Sequence, residues 1–173
     1  MTRDESYIIV ARHRSYWDAL IMAAAVGFRR RMHFIARRGL MRSFALMQPV
    51  IRTFSTIIDR ENFGRSDFRK MLEAIKRERL VGLFPEGTTR KHVDAKAGAV
   101  RFAMITGKKL LPVNIVPEGP YPPRYPFGMP RITASIGQAV TVDDLRDGID
   151  EGLAKSEVAR LMSDRLMEVV DNA

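Results

Sequence analysis

The sequence predicts an α/β fold, with a largely parallel β-sheet flanked by helices, in one domain over residues 1–173. Two observations support this. Short apolar segments alternate along the chain with amphipathic helical segments, which is the pattern of a parallel sheet built from βα units. Of the 173 residues, 46% are hydrophobic and 28% are charged, and this size and composition are typical of one globular domain with its own core.

The predicted strands are short apolar segments at residues 7–11, 32–36, 55–58, 80–84 and 111–116, with a further strand of alternating faces at 131–136. Helices are predicted between and after them at residues 18–27, 40–47, 66–79, 97–106 and 156–170. The Pro- and Gly-rich stretch at 117–130 is interpreted as a surface loop.

The helix over residues 66–79 has the clearest pattern. Its apolar residues fall at i, i+3, i+4 and i+7 and predict one buried stripe: Phe68, Met71, Leu72 and Ile75. Ser66 is the expected N-cap of this helix. Gly107 is expected to end the helix over 97–106, because glycine readily adopts the left-handed conformation that follows many last helical turns.

Positive charge is concentrated in one part of the chain. The net charge is +9, but residues 1–142 hold 25 basic and 11 acidic side chains, whereas the acidic helical segment 143–173 holds 4 and 9. Residues 19–58 contain no acid and seven arginines, which are Arg29, Arg30, Arg31, Arg37, Arg38, Arg42 and Arg52. Such a surface attracts phosphate groups, whether on nucleic acid, anionic lipid or a small substrate.

Several classes of protein are excluded. The sequence contains no cysteine, so it has no disulfide, thiolate zinc site, iron–sulfur cluster or cysteine nucleophile. It has no run of about 18 apolar residues, the length that a membrane-spanning helix needs. The first residues place two acids before a short apolar run, which is not the pattern of a secretory signal. We therefore expect any contact with a membrane to be made from its surface.

A histidine and an aspartate follow the first predicted strand, at a strand-to-helix turn. His13 and Asp18 are spaced so that the carboxylate can bond one imidazole nitrogen and leave the other as a general base. Taken alone, the pattern favours a simpler interpretation, in which Asp18 caps the helix and His13 is an ordinary surface histidine. No metal site is expected, because no second ligand stands at suitable spacing beside His13.

Polar residues also follow two other predicted strands. The strand at 80–84 is followed by a turn that contains Pro85, Glu86, Gly87, Thr88, Thr89 and Arg90. Hydroxyls, arginines and backbone N–H groups of such a turn can hold a phosphate, and a glutamate can bind a hydroxyl or order the turn. Arg60 follows the strand at 55–58. Each segment also fits an ordinary surface turn, but the carboxyl ends of parallel strands meet where α/β proteins bind ligands.

Taken together, these segments resemble the four motif blocks of PlsC-like glycerophosphate and lysophospholipid acyltransferases. The blocks are His13 to Asp18, then Arg60, then Phe-Pro-Glu-Gly-Thr at 84–88, and Leu-Pro-Val-Asn-Ile at 111–115. The third block is the strongest match, and residues 96–103 are similar to the helix that follows it in the family. The resemblance covers residues 7–137, and the combination is far more specific than any one block.

The resemblance implies an enzyme with the fold of the glycerolipid acyltransferases. It would move a fatty acyl group from acyl-CoA or acyl-carrier protein to a hydroxyl of a phosphate-bearing acceptor, foremost 1-acyl-glycerol-3-phosphate in phospholipid biosynthesis. His13 would be the general base and Asp18 would orient it and stabilise its charge. The resemblance implies no cofactor and no metal; the acyl thioester is a substrate.

The resemblance also implies residues that bind the acceptor. Arg60 would hold its phosphate, and Arg37 is a second candidate for that contact. The turn after the strand at 80–84 would shape the acceptor site through Glu86, Gly87, Thr88 and, displaced by one position from the family pattern, Arg90. The expected partners are the acyl thioester, the lipid acceptor and an anionic membrane surface. The expected location is cytoplasmic, peripheral on the inner face of the cell membrane.

The chain departs from the family pattern in three places. Arg12 stands where the family usually has Asn, Thr89 stands where it usually has Arg, and the chain begins immediately before the first block. The departures at Arg12 and Thr89 favour an alternative function, that of a catalytically impaired lipid-binding relative. Another lysolipid or a glycolipid is an alternative acceptor, because the choice of acceptor depends on the shape of the pocket. A nucleic-acid-binding module fits less well, because aromatic residues are only 8% and do not interleave with the arginines.

Overall fold

The structure, a computed structural model, describes residues 5–43, 45–59, 61–86, 97–124, 126, 128–150 and 152–173. Its strands are β1 (Tyr7–Val10), β2 (His33–Arg37), β3 (Ser55–Ile58), β4 (Leu80–Leu83), β5 (Lys109–Glu118) and β6 (Arg131–Ile136). Its helices are α1 (Trp17–Val26), α2 (Arg38–Ser43), α3 (Gln48–Phe54), α4 (Arg65–Arg77), α5 (Gly98–Thr106), α6 (Val142–Arg146) and α7 (Lys155–Asp171). A 3-10 turn over Ala45–Met47 directly precedes α3.

The described strands form one sheet in the order β3-β2-β4-β1-β5-β6. The first five run parallel, and β6 pairs antiparallel with β5 at one edge. The predicted α/β fold with a largely parallel sheet is therefore confirmed. β1 lies inside the sheet between β4 and β5, and all four of its residues are buried.

Both faces of the sheet are covered, as a parallel sheet requires. Alternate side chains of β1 enter two different clusters of buried residues. Ile8 and Val10 pack with apolar residues of α4, α5 and α7, whereas Tyr7 and Ile9 pack on the side of α1. β1 is thus anchored on both faces of the sheet, and the segment that leads to His13 starts from this fixed strand.

The region between β2 and β3 differs from the prediction. The sequence predicts one helix over residues 40–47, but α2 ends at Ser43 and a separate helix, α3, begins at Gln48. Pro49 lies in the first turn of α3, where its missing N–H costs no hydrogen bond, and a proline is compatible with a helix start rather than a helix interior. Neither α3 nor the five-residue α6 was predicted.

The ends of two helices test the predicted caps. Ser66 is not the N-cap of α4, because the helix begins at Arg65 after Gly64. The carboxylate of Asp67 accepts hydrogen bonds from the backbone N–H groups of Gly64 and Asp59, so Asp67 takes the capping role that Ser66 was expected to have. Gly107 ends α5 in the left-handed conformation, with φ at +68°, as predicted.

The stretch at 117–130 is partly strand rather than loop, since β5 continues to Glu118. Among the described residues, no helix is both long and apolar enough to cross a membrane.

Candidate active site

His13 and Glu86 meet at the carboxyl edge of the sheet. β1 and β4 are neighbouring parallel strands, and Val10 pairs in register with Leu83 near their carboxyl ends. The segments that leave these strands therefore emerge side by side, one leading to His13 and the other to Glu86. The backbone N–H of His13 donates to Glu86 Oε2 at 2.9 Å, which joins the two segments directly.

His13 and Asp18 are in contact, as their spacing predicts. The distance from His13 Nδ1 to Asp18 Oδ2 is 3.2 Å, and Asp18 is only 1% exposed. A carboxylate at Nδ1 favours the tautomer with its proton on that nitrogen, which leaves the lone pair on Nε2. The arrangement can therefore supply a general base with a buried carboxylate behind it.

The Asp18 carboxylate also shapes the turn that carries His13. Oδ2 accepts hydrogen bonds from the backbone N–H groups of Arg14 at 2.6 Å and Ser15 at 2.7 Å. Asp18 lies in the first turn of α1, and its carboxylate bonds residues before the helix, so it ties the turn back onto α1. The simpler interpretation of Asp18 as a helix cap is thus incomplete, because the same oxygen also faces the imidazole.

The imidazole plane is set by Phe84. The rings of His13 and Phe84 are stacked, with centroids 4.3 Å apart and planes 18° from parallel. Phe84 follows β4 directly, so the sheet itself positions this contact. His13 is held from three sides: by Asp18 at Nδ1, by Phe84 on its face and by Glu86 at its backbone.

Arg12, which departs from the family pattern, forms an ion-pair bridge. Its Nη1 donates to Glu86 Oε1 at 2.9 Å, and its Nε and Nη2 donate to the two carboxylate oxygens of Asp171 at 2.6 and 2.5 Å. These hydrogen bonds lower the pKa of Asp171 and raise that of Arg12. The bridge ties the end of α7 to the turn that carries His13 without touching the His13–Asp18 contact.

Arg37 is also placed at this edge of the sheet. It is the last residue of β2, and its Nη2 donates to the Tyr16 hydroxyl at 2.7 Å, just before α1 begins. The other predicted acceptor-binding residues, Arg60, Gly87, Thr88 and Arg90, lie outside the described residues, as does Thr89. Their predicted roles stay predictions.

Tyr121 is a site residue that sequence reasoning missed. Its hydroxyl donates to Asp18 Oδ1, the carboxylate oxygen opposite the one that faces His13. Burial, followed by the hydrogen bond to Asp18, raises the pKa of the Tyr121 phenol. The residue lies in the stretch interpreted as a surface loop, where a tyrosine among prolines and glycines gives no local signal of a distant partner.

Among the residues that the structure describes, no group of three or more His, Asp or Glu side chains could hold a metal ion. His33 begins β2, at the amino edge of the sheet and away from His13. It is buried, and its Nε2 lies 2.9 Å from Thr56 Oγ1.

Comparisons with known proteins show the family of the chain. Residues 1–116 match the sequence model of the family described as Acyltransferase. A protein of Streptococcus pneumoniae (strain ATCC BAA-255 / R6), named 1-acyl-sn-glycerol-3-phosphate acyltransferase, is 29% identical over 154 residues, which are 87% of this chain and 56% of that protein. A Bacillus subtilis (strain 168) protein of the same name is 25% identical over 136 residues, or 78% of this chain and 67% of that protein. The chain thus spans little more than half of the pneumococcal protein. Because the family model matches most of it, the chain belongs to the Acyltransferase family.

Proposed function

We propose that the protein is an O-acyltransferase of phospholipid biosynthesis. It moves a fatty acyl group from acyl-CoA or acyl-carrier protein to the free hydroxyl of 1-acyl-glycerol-3-phosphate. The observation that carries the proposal is the contact of His13 with the buried Asp18 at the carboxyl edge of the sheet, in a chain of the Acyltransferase family. The names of the two relatives support this acceptor.

The geometry supports a direct transfer. Nε2 of His13 takes the proton of the acceptor hydroxyl as its oxygen attacks the thioester carbonyl, and the new C–O bond gives a tetrahedral intermediate. The C–S bond then breaks, and His13 returns the proton to the leaving sulfur. Asp18, held away from water, stabilises the imidazolium that exists between these two proton transfers. No acyl-enzyme is needed, and no cysteine is present to form one.

The acceptor's phosphate needs fixed cations, because charge-assisted contacts to phosphate are stronger than neutral hydrogen bonds. Arg60 and Arg37 are the proposed phosphate ligands, with Gly87, Thr88 and Arg90 shaping the site beside them. The placement of Arg37 at the edge that carries His13 supports this role. Both carboxylate oxygens of Glu86 already accept hydrogen bonds, from Arg12 and from the His13 backbone, so we assign Glu86 to holding the site rather than to binding a hydroxyl.

Arg12 bears on the alternative of an impaired lipid-binding relative. Its guanidinium is taken up by Glu86 and Asp171, and it leaves the contact between His13 and Asp18 intact. The departure at Arg12 therefore gives no support to loss of turnover. Another lysolipid or a glycolipid remains the alternative acceptor, and a panel of acceptors decides between them.

We also propose that the protein works on the anionic inner face of the cell membrane. The apolar residues Leu46, Val50 and Phe54 recur at i, i+4 and i+8 from the 3-10 turn through α3, and they are 97%, 48% and 41% exposed. Arg31 lies over the Phe54 ring at 5.9 Å, and Arg52 projects from the same helix. Exposed apolar residues beside cations suit an interface of anionic lipid.

The test of the proposed reaction is product formation by purified protein. Palmitoyl-CoA is incubated with 1-acyl-glycerol-3-phosphate, glycerol 3-phosphate and other lysolipids, and the products are identified by mass spectrometry. We expect phosphatidic acid from the first acceptor, and a loss of about 10²–10⁴-fold in rate for His13→Ala, because that variant lacks the general base. Asp18→Asn should be similarly severe.

His33→Gln is the matched control, since His33 is a buried histidine at the opposite edge of the sheet. It should retain the wild-type rate. Near-normal thioester consumption by folded His13→Ala protein would refute the assignment of the base.

A further inference from the structure

We propose that Tyr121 is a positioning residue for this reaction, which holds the Asp18 carboxylate so that one oxygen always faces the His13 imidazole. The inference rests on the proposed acyl transfer. It adds to the site a residue from the segment between β5 and β6, 103 positions away from Asp18 in the chain.

The two oxygens of Asp18 have different partners. Oδ2 accepts from His13 Nδ1 and from the backbone N–H groups of Arg14 and Ser15. Oδ1 accepts from the hydroxyl of Tyr121. Asp18 is only 1% exposed, so water cannot easily take the place of a lost donor. A buried carboxylate oxygen without a donor is unfavourable.

The Tyr121 hydroxyl acts as a donor and not as an acid. Burial and the neighbouring Asp18 carboxylate both raise the pKa of this phenol, so it keeps its proton throughout the neutral range. A neutral phenol gives Oδ1 a directional hydrogen bond without adding a charge beside His13. The rotation of the carboxylate about its Cβ–Cγ bond is thereby restricted, and Oδ2 stays directed at the imidazole.

Removal of this hydrogen bond has two expected effects. The carboxylate is less well oriented, which lowers the rate of the proton-transfer step, whereas substrate binding does not depend on it. The Asp18 carboxylate also loses one donor that stabilises its negative charge, so the carboxylate stabilises the His13 imidazolium more strongly. The charged groups beside the dyad are Arg12, Arg14, Glu86 and Asp171, and we expect the removal of one hydroxyl to leave them in place.

The test is Tyr121→Phe, which keeps the ring and deletes only the hydroxyl. We expect kcat to fall about tenfold, as for the loss of a hydrogen bond to a charged group, with the KM of both substrates within twofold of wild type. The acidic limb of the kcat profile should move to higher pH, and the NMR titration of the His13 ring should move with it. In an Asp18→Ala background the same substitution should change kcat less than twofold, because the carboxylate that accepts the Tyr121 hydrogen bond is gone.

Tyr7→Phe is the matched control. It deletes a phenol hydroxyl that bonds Glu5 at the opposite end of β1. It should leave kcat, the acidic limb of the kcat profile and the NMR titration of the His13 ring unchanged. A wild-type kcat in Tyr121→Phe, or a lower kcat with an unmoved acidic limb, would overturn the proposal. The His13 titration needs no turnover, so an unmoved titration counts against Tyr121 alone, whereas wild-type protein that transfers no acyl group counts against the proposed function.

Discussion

At the scale of single residues, the proposed acceptor site depends on the positive charge of Arg60. Arg60→Ala should raise the KM for 1-acyl-glycerol-3-phosphate about tenfold or more, because it removes one charge-assisted contact to the phosphate. The KM for the acyl donor should change little. Initial rates at varied acceptor and varied donor concentrations separate the two effects.

Arg69→Ala is the control for this substitution, since Arg69 is an exposed arginine on α4 and belongs to no proposed contact. The phosphate assignment fails if Arg60→Ala has an unchanged kcat/KM for the acceptor. Arg37→Ala, tested in parallel, shows whether the arginine at the end of β2 shares the phosphate.

The residue scale also shows where sequence reasoning succeeds. The contact of His13 with Asp18 was within reach of the sequence, because only a short strand-to-helix turn separates them, although it took the resemblance of all four motif blocks to favour this pair over an ordinary surface histidine. The contacts of Tyr121 and Asp171 were not, because their partners lie more than a hundred residues away and only the finished sheet brings them close. Neither carries a local pattern that distinguishes it from a surface residue.

At the scale of elements, the first residue of β2 is a buried histidine, His33. Burial, the largest cause, lowers the pKa of His33, with Arg77 and Arg31 adding to it and Glu78 opposing it. The unfolded chain therefore takes up this proton first when the pH falls below about 6.5, and the folded state loses stability. Above that pH the contribution is fully present.

We expect the free energy of unfolding to fall more steeply from pH 7.5 to 5.5 in wild type than in His33→Gln. The difference is at most about 1.4 kcal/mol for each pH unit in which only the unfolded chain binds the proton. Urea titrations at both pH values measure it. Parallel slopes for the two proteins would show that His33 titrates alike in the folded and unfolded states.

Strands were predicted more accurately than helices. The predicted segments at 55–58 and 131–136 have the bounds of β3 and β6, because apolar or alternating runs are a local property. The prediction of one helix between β2 and β3 is wrong, since a separate helix, α3, begins there with Pro49 in its first turn and buries none of its residues. The apolar residues Val50 and Phe54 of this seven-residue helix are exposed, so the helix has no stripe that faces a core.

At the scale of the whole molecule, the net charge of +9 predicts how the protein responds to salt. Each arginine near an anionic leaflet contributes about 1 kcal/mol, and the attraction falls off within a Debye length. We expect cosedimentation with phosphatidylglycerol vesicles at low salt, weaker binding as salt rises, and little binding to phosphatidylcholine vesicles.

Val50→Asp should reduce this binding, because it places a carboxylate on the exposed apolar face of α3. Ile105→Asp is its control: Ile105 on α5 is 49% exposed, against 48% for Val50, and the charge change is the same. Equal binding to both kinds of vesicle, or to neither, would contradict the proposed membrane face.

The inner position of β1 has a consequence for how the protein is made. β1 precedes both of its partners in the sequence, because β4 and β5 are added by the ribosome only after the segments that form β2, β3 and the helices around them. Until then a nascent chain carries a wholly apolar strand with both hydrogen-bonding edges open, the kind of segment that aggregates or recruits chaperones. Such long-range parallel pairing is also slow to form. Because His13 follows β1 and its backbone partner Glu86 follows β4, the site is assembled only when that late pairing is complete.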